Sequence, residues 1–183
     1  YREKMCEALA DETRTFVRSD FQYYAPSFAF DIAKKCNVYI AVDLAISEKQ
    51  SADYTAIVVV GIDDKNLWYI LDVVYGHLNP TQTMDSIFDL VRRWNPMKVG
   101  IEKVAYQKAL IHFIEKEKLA RNIMFSTQEL EAEKQKELRI KALQPRYKAH
   151  QVYHPEYGSW LTELETELTM FPKCLHDDVA DAL

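Results

Sequence analysis

Glycine is scarce in this chain: Gly61, Gly76, Gly100 and Gly158 are the only four in 183 residues. None stands in a GxxxxGKS/T or GxGxxG spacing, which excludes a P-loop and a dinucleotide-binding turn. No GxSxG elbow occurs either. Cysteine is equally sparse. Cys6, Cys36 and Cys174 lie far apart without a CxxC pair, which argues against a zinc ribbon or disulfide framework and for three reduced, mostly buried thiols. The longest aliphatic run, Ala56-Ile57-Val58-Val59-Val60, falls far short of a membrane span, so no membrane partner is expected. Neither charge sign dominates: 23 Lys plus Arg face 28 Asp plus Glu, a net charge of −5. With 48% hydrophobic and 12% aromatic residues, the chain reads as a folded, soluble protein with one real core. The polar start Tyr1-Arg2-Glu3-Lys4, unlike a signal peptide and without an initiator Met, points to an excised piece of a longer polypeptide. So does the stop at Asp181-Ala182-Leu183, inside a helical stretch.

Residues 1–37 are mixed and charged, with an aromatic cluster (Phe16, Phe21, Tyr23, Tyr24, Phe28, Phe30) and no clean period. They read as a lead-in arm or the tail of a preceding domain. From Asn37 the pattern changes. Val38 to Val42 is β-rich and ends in Asp43; after a polar loop, Tyr54 to Gly61 forms a second strand. Ile62 to Asn66 stacks turn formers, and Leu67 to Tyr75 makes a third strand, giving an antiparallel meander. Met84, Ile87, Phe88, Val91 and Trp94 then stripe an amphipathic helix stopped by Asn95-Pro96. Met97 to Ile101 is a short buried strand delivering Glu102. Tyr106, Leu110, Phe113 and Ile114 mark a helix, and Asn122 to Phe125 a fifth strand. A charged helix is expected over about 129–148, broken near Pro145, with Gln151-Val152-Tyr153 as a small extra strand. Trp160, Leu161, Leu164 and Leu168 stripe another helix, and a last one starts around His176. The order predicts an α/β fold: a mixed five-stranded sheet, three antiparallel strands followed by parallel strands reached through helical crossovers.

Two carboxylates sit where burial should have excluded them. Asp43 and Glu102 each end an apolar strand, where an unpaired charge is costly to desolvate. A third acidic group, Asp177, Asp178 and Asp181, lies near the end; on a helix Asp178 and Asp181 share one face. If the strands ending in Asp43 and Glu102 are neighbours, the last helix lays Asp178 against them. Convergent carboxylates repel, and hard divalent cations are the usual remedy. Oxygen-only donors point to Mg²⁺ or Mn²⁺ rather than zinc. Two such ions about 3.5–4 Å apart suit phosphodiester hydrolysis. Asp53 reaches the same edge as a further ligand or an acceptor behind the ligands. His176 reads as a donor, proton shuttle or ligand, or equally as an ordinary helix-start residue. Singly, each acid would be a solvated strand end or helix cap; the joint placement carries the metal reading.

Charge is also segregated. Between 134 and 150, Lys134, Lys136, Arg139, Lys141, Arg146 and Lys148 face one acid, Glu137. At helical spacing they form a track for DNA phosphates, or a solvated helix face.

These residues, in this order, resemble the C-terminal nuclease domain of tailed-bacteriophage terminase large subunits. Val42-Asp43-Leu44-Ala45 followed by Asp53-Tyr54-Thr55-Ala56 is similar to its first acidic motif, and Gly100-Ile101-Glu102 to its second. Lys136 to Pro145 resembles the family's basic helix, ahead of Val152-Tyr153-His154-Pro155. His176-Asp177-Asp178-Val179-Ala180-Asp181-Ala182-Leu183 is similar to the closing H-D-D-x-x-D-A-L motif. The resemblance implies an RNase H-like (retroviral-integrase-like) fold over 38–183, with 1–37 as an arm or linker remnant. It implies a metal-dependent endonuclease cutting concatemeric double-stranded DNA, with Asp43, Glu102 and Asp178 as catalytic acids. Asp177, Asp181, Asp53 and His176 are further ligands or support. It also implies a motor ATPase domain in the same polypeptide, a portal protein and small terminase subunit as partners, and the host cytoplasm as the setting. The alternatives are a Holliday-junction-resolvase-like nuclease, whose D-x-x-D-A-L ending is similar, and a non-catalytic DNA-binding or assembly module on the same fold.

Overall fold

The computed structural model describes residues 14–44, 54–102, 107–130, 136–173 and 177–183. Its centre is a seven-stranded sheet in the order β1-β7-β4-β3-β2-β5-β6. The strands are β1 (Gln22–Tyr24), β2 (Asn37–Asp43), β3 (Thr55–Ile62), β4 (Trp68–Gly76), β5 (Lys98–Glu102), β6 (Thr127–Leu130) and β7 (Val152–Pro155). Only β3 runs against the rest: it pairs antiparallel with β2 and β4, while β2–β5, β5–β6, β4–β7 and β1–β7 are parallel. Among the described residues six α-helices flank it: α1 (Ala29–Ala33), α2 (Pro80–Trp94), α3 (Gln107–Arg121), α4 (Lys136–Lys148), α5 (Leu161–Met170) and α6 (Asp178–Ala182).

Alternation along the central strands builds two cores. On β2, Val38, Ile40 and Val42 turn to one face, packing with Ile57 and Val59 of β3 and with Ile87, Phe88 and Ile114 of α2 and α3. On the other face Ala56, Val58 and Val60 of β3 meet Ile140 and Tyr147 of α4, Leu164 and Leu168 of α5, and Val179 of α6. Strand β3 is buried on both sides, so it reads as a continuous apolar run rather than an alternating one. The acidic residue ending β2 belongs to the α4–α6 face, two residues beyond Ala41.

The meander forms as the sequence predicts. Asp63 Oδ1 accepts the amides of Lys65 and Leu67, and Asn66 takes a left-handed φ of 61°. Helix α2 opens on a reciprocal cap between Asn79 and Gln82, with Pro80 in its first turn, and stops at Asn95, φ 45°.

Four expectations are corrected. The sheet has seven strands, not five: the small strand at Val152 docks on β4, and β1, drawn from the segment read as an arm, docks on β7. The first matches the small extra strand expected at Gln151-Val152-Tyr153; the second has three residues, too few for period-2 alternation to be legible. The outer parallel strand is Thr127–Leu130 rather than Asn122 to Phe125. Asn122 (φ 51°) instead ends α3, and Ile123 and Phe125 pack beneath the helices. Helix α4 is not broken at Pro145; it runs to Lys148 because Tyr147, fully buried, anchors its last turn. Phe113 is 55% exposed and leaves the α3 stripe to Leu110 and Ile114. Among the described residues no helix is long and apolar enough to cross a membrane. Cys36 is a free, half-buried thiol that burial pushes up to about 11. Cys6 and Cys174 lie outside the described residues.

Candidate active site

Strand register brings the first two acids together. Val42 of β2 pairs with Ile101 of parallel β5, so the next residues, Asp43 and Glu102, leave the sheet side by side at its carboxyl edge. Neighbouring strands lie about 4.8 Å apart. The third carboxylate is Asp181 on α6, the helix packed on β2 and β3. One oxygen from each of Asp43, Glu102 and Asp181 lies within 4.8 Å of the others. They open on a cleft of about 110 Å³. Ala41 and Leu130 line it, and Leu130 packs so closely on the strand that a Cβ on Gly100 would meet its Cδ1 at 2.7 Å.

Two basic side chains of α4 enter from above. Arg139 grips Asp181 with Nε (2.9 Å to Oδ1) and a terminal nitrogen, and sets Nη1 3.1 Å from Glu102. Lys136 Nζ lies 2.7 Å from Asp177 and from Asp178, and 3.9 Å from Asp181. Asp178 also accepts the Tyr54 amide, at 3.2 Å. Five carboxylates thus crowd around two cations.

The protonation pattern records the imbalance. Burial, then the Glu102 carboxyl beside it, push Asp43 far above the usual carboxylate range. Burial also raises Asp181, against the opposing pull of Arg139. Burial acts to lower Lys136, but its bonds to Asp177 and Asp178 outweigh it and the ammonium is raised. The Asp181 bond holds Arg139 above its ordinary value. A field that retains a proton on Asp43 equally favours a cation. The donors, all carboxylate oxygens, fit a hard divalent ion such as Mg²⁺ or Mn²⁺.

Of the acids singled out in the sequence, the structure joins Asp43, Glu102 and Asp181 in one trio. It sets Asp177 and Asp178 alongside, turned to Lys136. Asp53, His176 and Lys134 lie outside the described residues. Of the basic residues, Lys136 and Arg139 face the acids. Arg146 instead lies over the Trp68 ring, 4.3 Å from its centre, near the β3–β4 turn. Lys141, 4.0 Å from Glu137, and Lys148 are exposed.

Sequence reasoning missed three participants. The Tyr54 amide carries no residue-type signal. Leu130 belongs to a strand placed elsewhere. Glu167 on α5 is hidden between Leu164 and Leu168 in a segment whose stripe reads as simply amphipathic. It is 2% exposed and accepts the Ala180 amide at 2.8 Å.

The family described as Terminase RNaseH-like domain matches residues 40–183. Among solved structures, the chain is similar to the Mn-soaked, inhibitor-bound human cytomegalovirus terminase nuclease domain. Identity is 12%, TM-score 0.60, and the match covers 95% of this chain and 89% of that one. It is also similar to the large terminase nuclease from thermophilic phage G20c with bound magnesium. There identity is 14%, TM-score 0.57, and coverage 80% and 78%. No curated protein sequence matches. At these identities the structural likeness speaks for the fold.

Proposed function

This chain belongs to the terminase RNaseH-like domain family, and from that premise we propose that it is a divalent-cation-dependent endonuclease hydrolysing phosphodiester bonds of concatemeric double-stranded viral DNA. The observation that carries the reading is the meeting of Asp43, Glu102 and Asp181 within 4.8 Å. Mg²⁺ or Mn²⁺, as a pair of ions, would be held by these three residues with Asp177 and Asp178 alongside. When bound, such ions supply an activated water and charge stabilisation on the scissile phosphate.

The chain's own groups do the rest. Asp43, held beside Glu102, would offer its carboxylate to such an ion. Arg139 keeps Asp181 and Glu102 oriented through its fork of donors. Lys136 screens Asp177 and Asp178, limiting repulsion of an approaching phosphate. Ala41 and Leu130 give the cleft an apolar wall beside the acids. Lys141 and Lys148 offer charge to the duplex backbone. In-line attack by water leaves 3′-hydroxyl and 5′-phosphate ends. The family context supports a motor ATPase domain of the same polypeptide, a portal protein and a small terminase subunit as partners, acting in the host cytoplasm.

The test is nicking of supercoiled plasmid, paired with a thermal melt with and without Mn²⁺. Asp43→Asn should lower nicking by at least about a hundredfold, beyond the loss typical of a group behind a ligand. The Mn²⁺-induced rise in melting temperature should vanish with it. Undiminished nicking by this variant rejects the proposal.

A further inference from the structure

The helix that delivers Asp181 is five residues long and is not capped by its own sequence. Its N-cap, Asp177, makes no side-chain capping bond; its carboxylate is turned to Lys136 instead. The first amides of any helix lack intrahelical partners and need an acceptor from elsewhere. Here the Ala180 amide, immediately before Asp181, donates to Glu167 Oε2 at 2.8 Å, from the neighbouring helix α5.

Glu167 holds that position against its own electrostatics. The residue is 2% exposed, and its second oxygen, Oε1, has no hydrogen-bond partner among the described residues. Burial pushes its carboxyl up to about 7, with Asp178, Glu163 and Asp177 adding to the push. An apolar side chain between Leu164 and Leu168 would avoid every one of these costs. The one thing such a side chain could not do is accept the Ala180 amide.

We propose that Glu167 is a positioning residue: by anchoring the Ala180 amide it sets the rotation and depth of α6, and so the reach of Asp181 toward Asp43 and Glu102. The inference rests on the metal-site reading above. It is distinct from it, since Glu167 itself touches neither the cleft nor its three carboxylates.

Mn²⁺ affinity of the 183-residue chain, read by electron paramagnetic resonance, tests it. Glu167→Leu removes the acceptor and keeps apolar bulk; it should weaken Mn²⁺ binding by about tenfold or more, the usual effect of losing a group that orients a ligand. Glu167→Gln keeps a carbonyl oxygen for the amide and should stay close to wild type. A folded Glu167→Leu chain with wild-type affinity overturns the proposal, as does a Gln variant as weak as the Leu variant. If Glu167→Leu does not fold, Glu167→Asp takes its place. Its acceptor falls one methylene short of Ala180, so it must bind Mn²⁺ more weakly than Glu167→Gln, and equal affinities overturn the idea. Asp43→Asn in the same assay separates the two readings. Retained Mn²⁺ binding there sinks the metal site itself, whereas lost binding there with none lost in Glu167→Leu sinks only the role of Glu167.

Discussion

Two regions of this molecule bury carboxylates on the same sheet, and they treat them in opposite ways. Near the β1–β7 edge, Glu165 is 5% exposed and fully partnered. It accepts from the Tyr23 hydroxyl (2.8 Å) and Arg18 (3.2 Å) and faces His154 Nδ1 (3.2 Å), whose other nitrogen meets the Tyr147 hydroxyl. Burial pushes its carboxyl up, but His154, Tyr23 and Arg18 outweigh it and hold it below its ordinary value. At the carboxyl edge of β2 and β5, Asp43 faces other carboxylates and is driven the other way. A buried acid with donors on every side fastens structure, here the segment from Arg18 to Tyr24 onto the domain. A buried acid opposed by acids is a place reserved for a cation.

Neutralising one carboxylate in each region is the sharpest way to break that contrast. Glu165→Leu strands the groups that His154 and Tyr23 present and should cost about 3–5 kcal/mol in urea denaturation, leaving the Mn²⁺ response intact. Asp43→Asn relieves repulsion, so metal-free stability should hold or rise while the Mn²⁺ response disappears. Equal losses of stability from the two variants would erase the distinction.

A pH series sharpens it further. Glu167, Asp43 and Asp181 all have carboxyls raised in the folded chain. The folded state therefore binds more protons than the unfolded one, and raising the pH favours unfolding. For Glu167 the stabilisation is complete below its ordinary value of 4.5 and is lost as pH rises through about 7. That loss is on the order of 3 kcal/mol. Metal-free denaturation at pH 5 and 7.5 should show a decline, and Glu167→Gln should remove the Glu167 share of it while the share of Asp43 and Asp181 remains. Glu165, with its carboxyl lowered, contributes in the opposite sense, gaining nothing until the pH exceeds its depressed value. A wild-type profile without decline would contradict the assignment.

The smallest effect concerns the basic helix. Lys141→Ala with Lys148→Ala should lower the log–log salt slope of duplex binding by about 2, one phosphate contact each. Lys136→Ala should change it less, because that ammonium is engaged by acids. The reverse ranking would show that the acid-facing end of α4 meets the backbone.

How much was legible follows from the range of each interaction. Val38 to Asp43 and Lys98 to Glu102 announce themselves because an acid ending an apolar strand breaks a local pattern. The Asp63 turn is likewise local chemistry. The small strand at Val152 was legible, but the three-residue β1, the place of the outer strand at Thr127–Leu130 and the passage of α4 through Pro145 were not, since docking and the burial of Tyr147 decide them. Asp178 and Asp181 share a helix face in any sequence-based reading. Which of them reaches Asp43 depends on how α6 lies on β2 and β3.

Residue pattern alone was enough for the order of the main elements, the two strand-end acids and the oxygen-only donor set, because periodicity and local charge act within a few residues. Folding in three dimensions chose the partners. It aimed Lys136 and Arg139 inward, admitted Asp181 to the trio, and placed Glu167 under the Ala180 amide. Those choices join groups on different elements, 13 residues apart for Glu167 and Ala180 and 42 for Lys136 and Asp178, whose distances are set by strand register and helix packing, and no local signal encodes either.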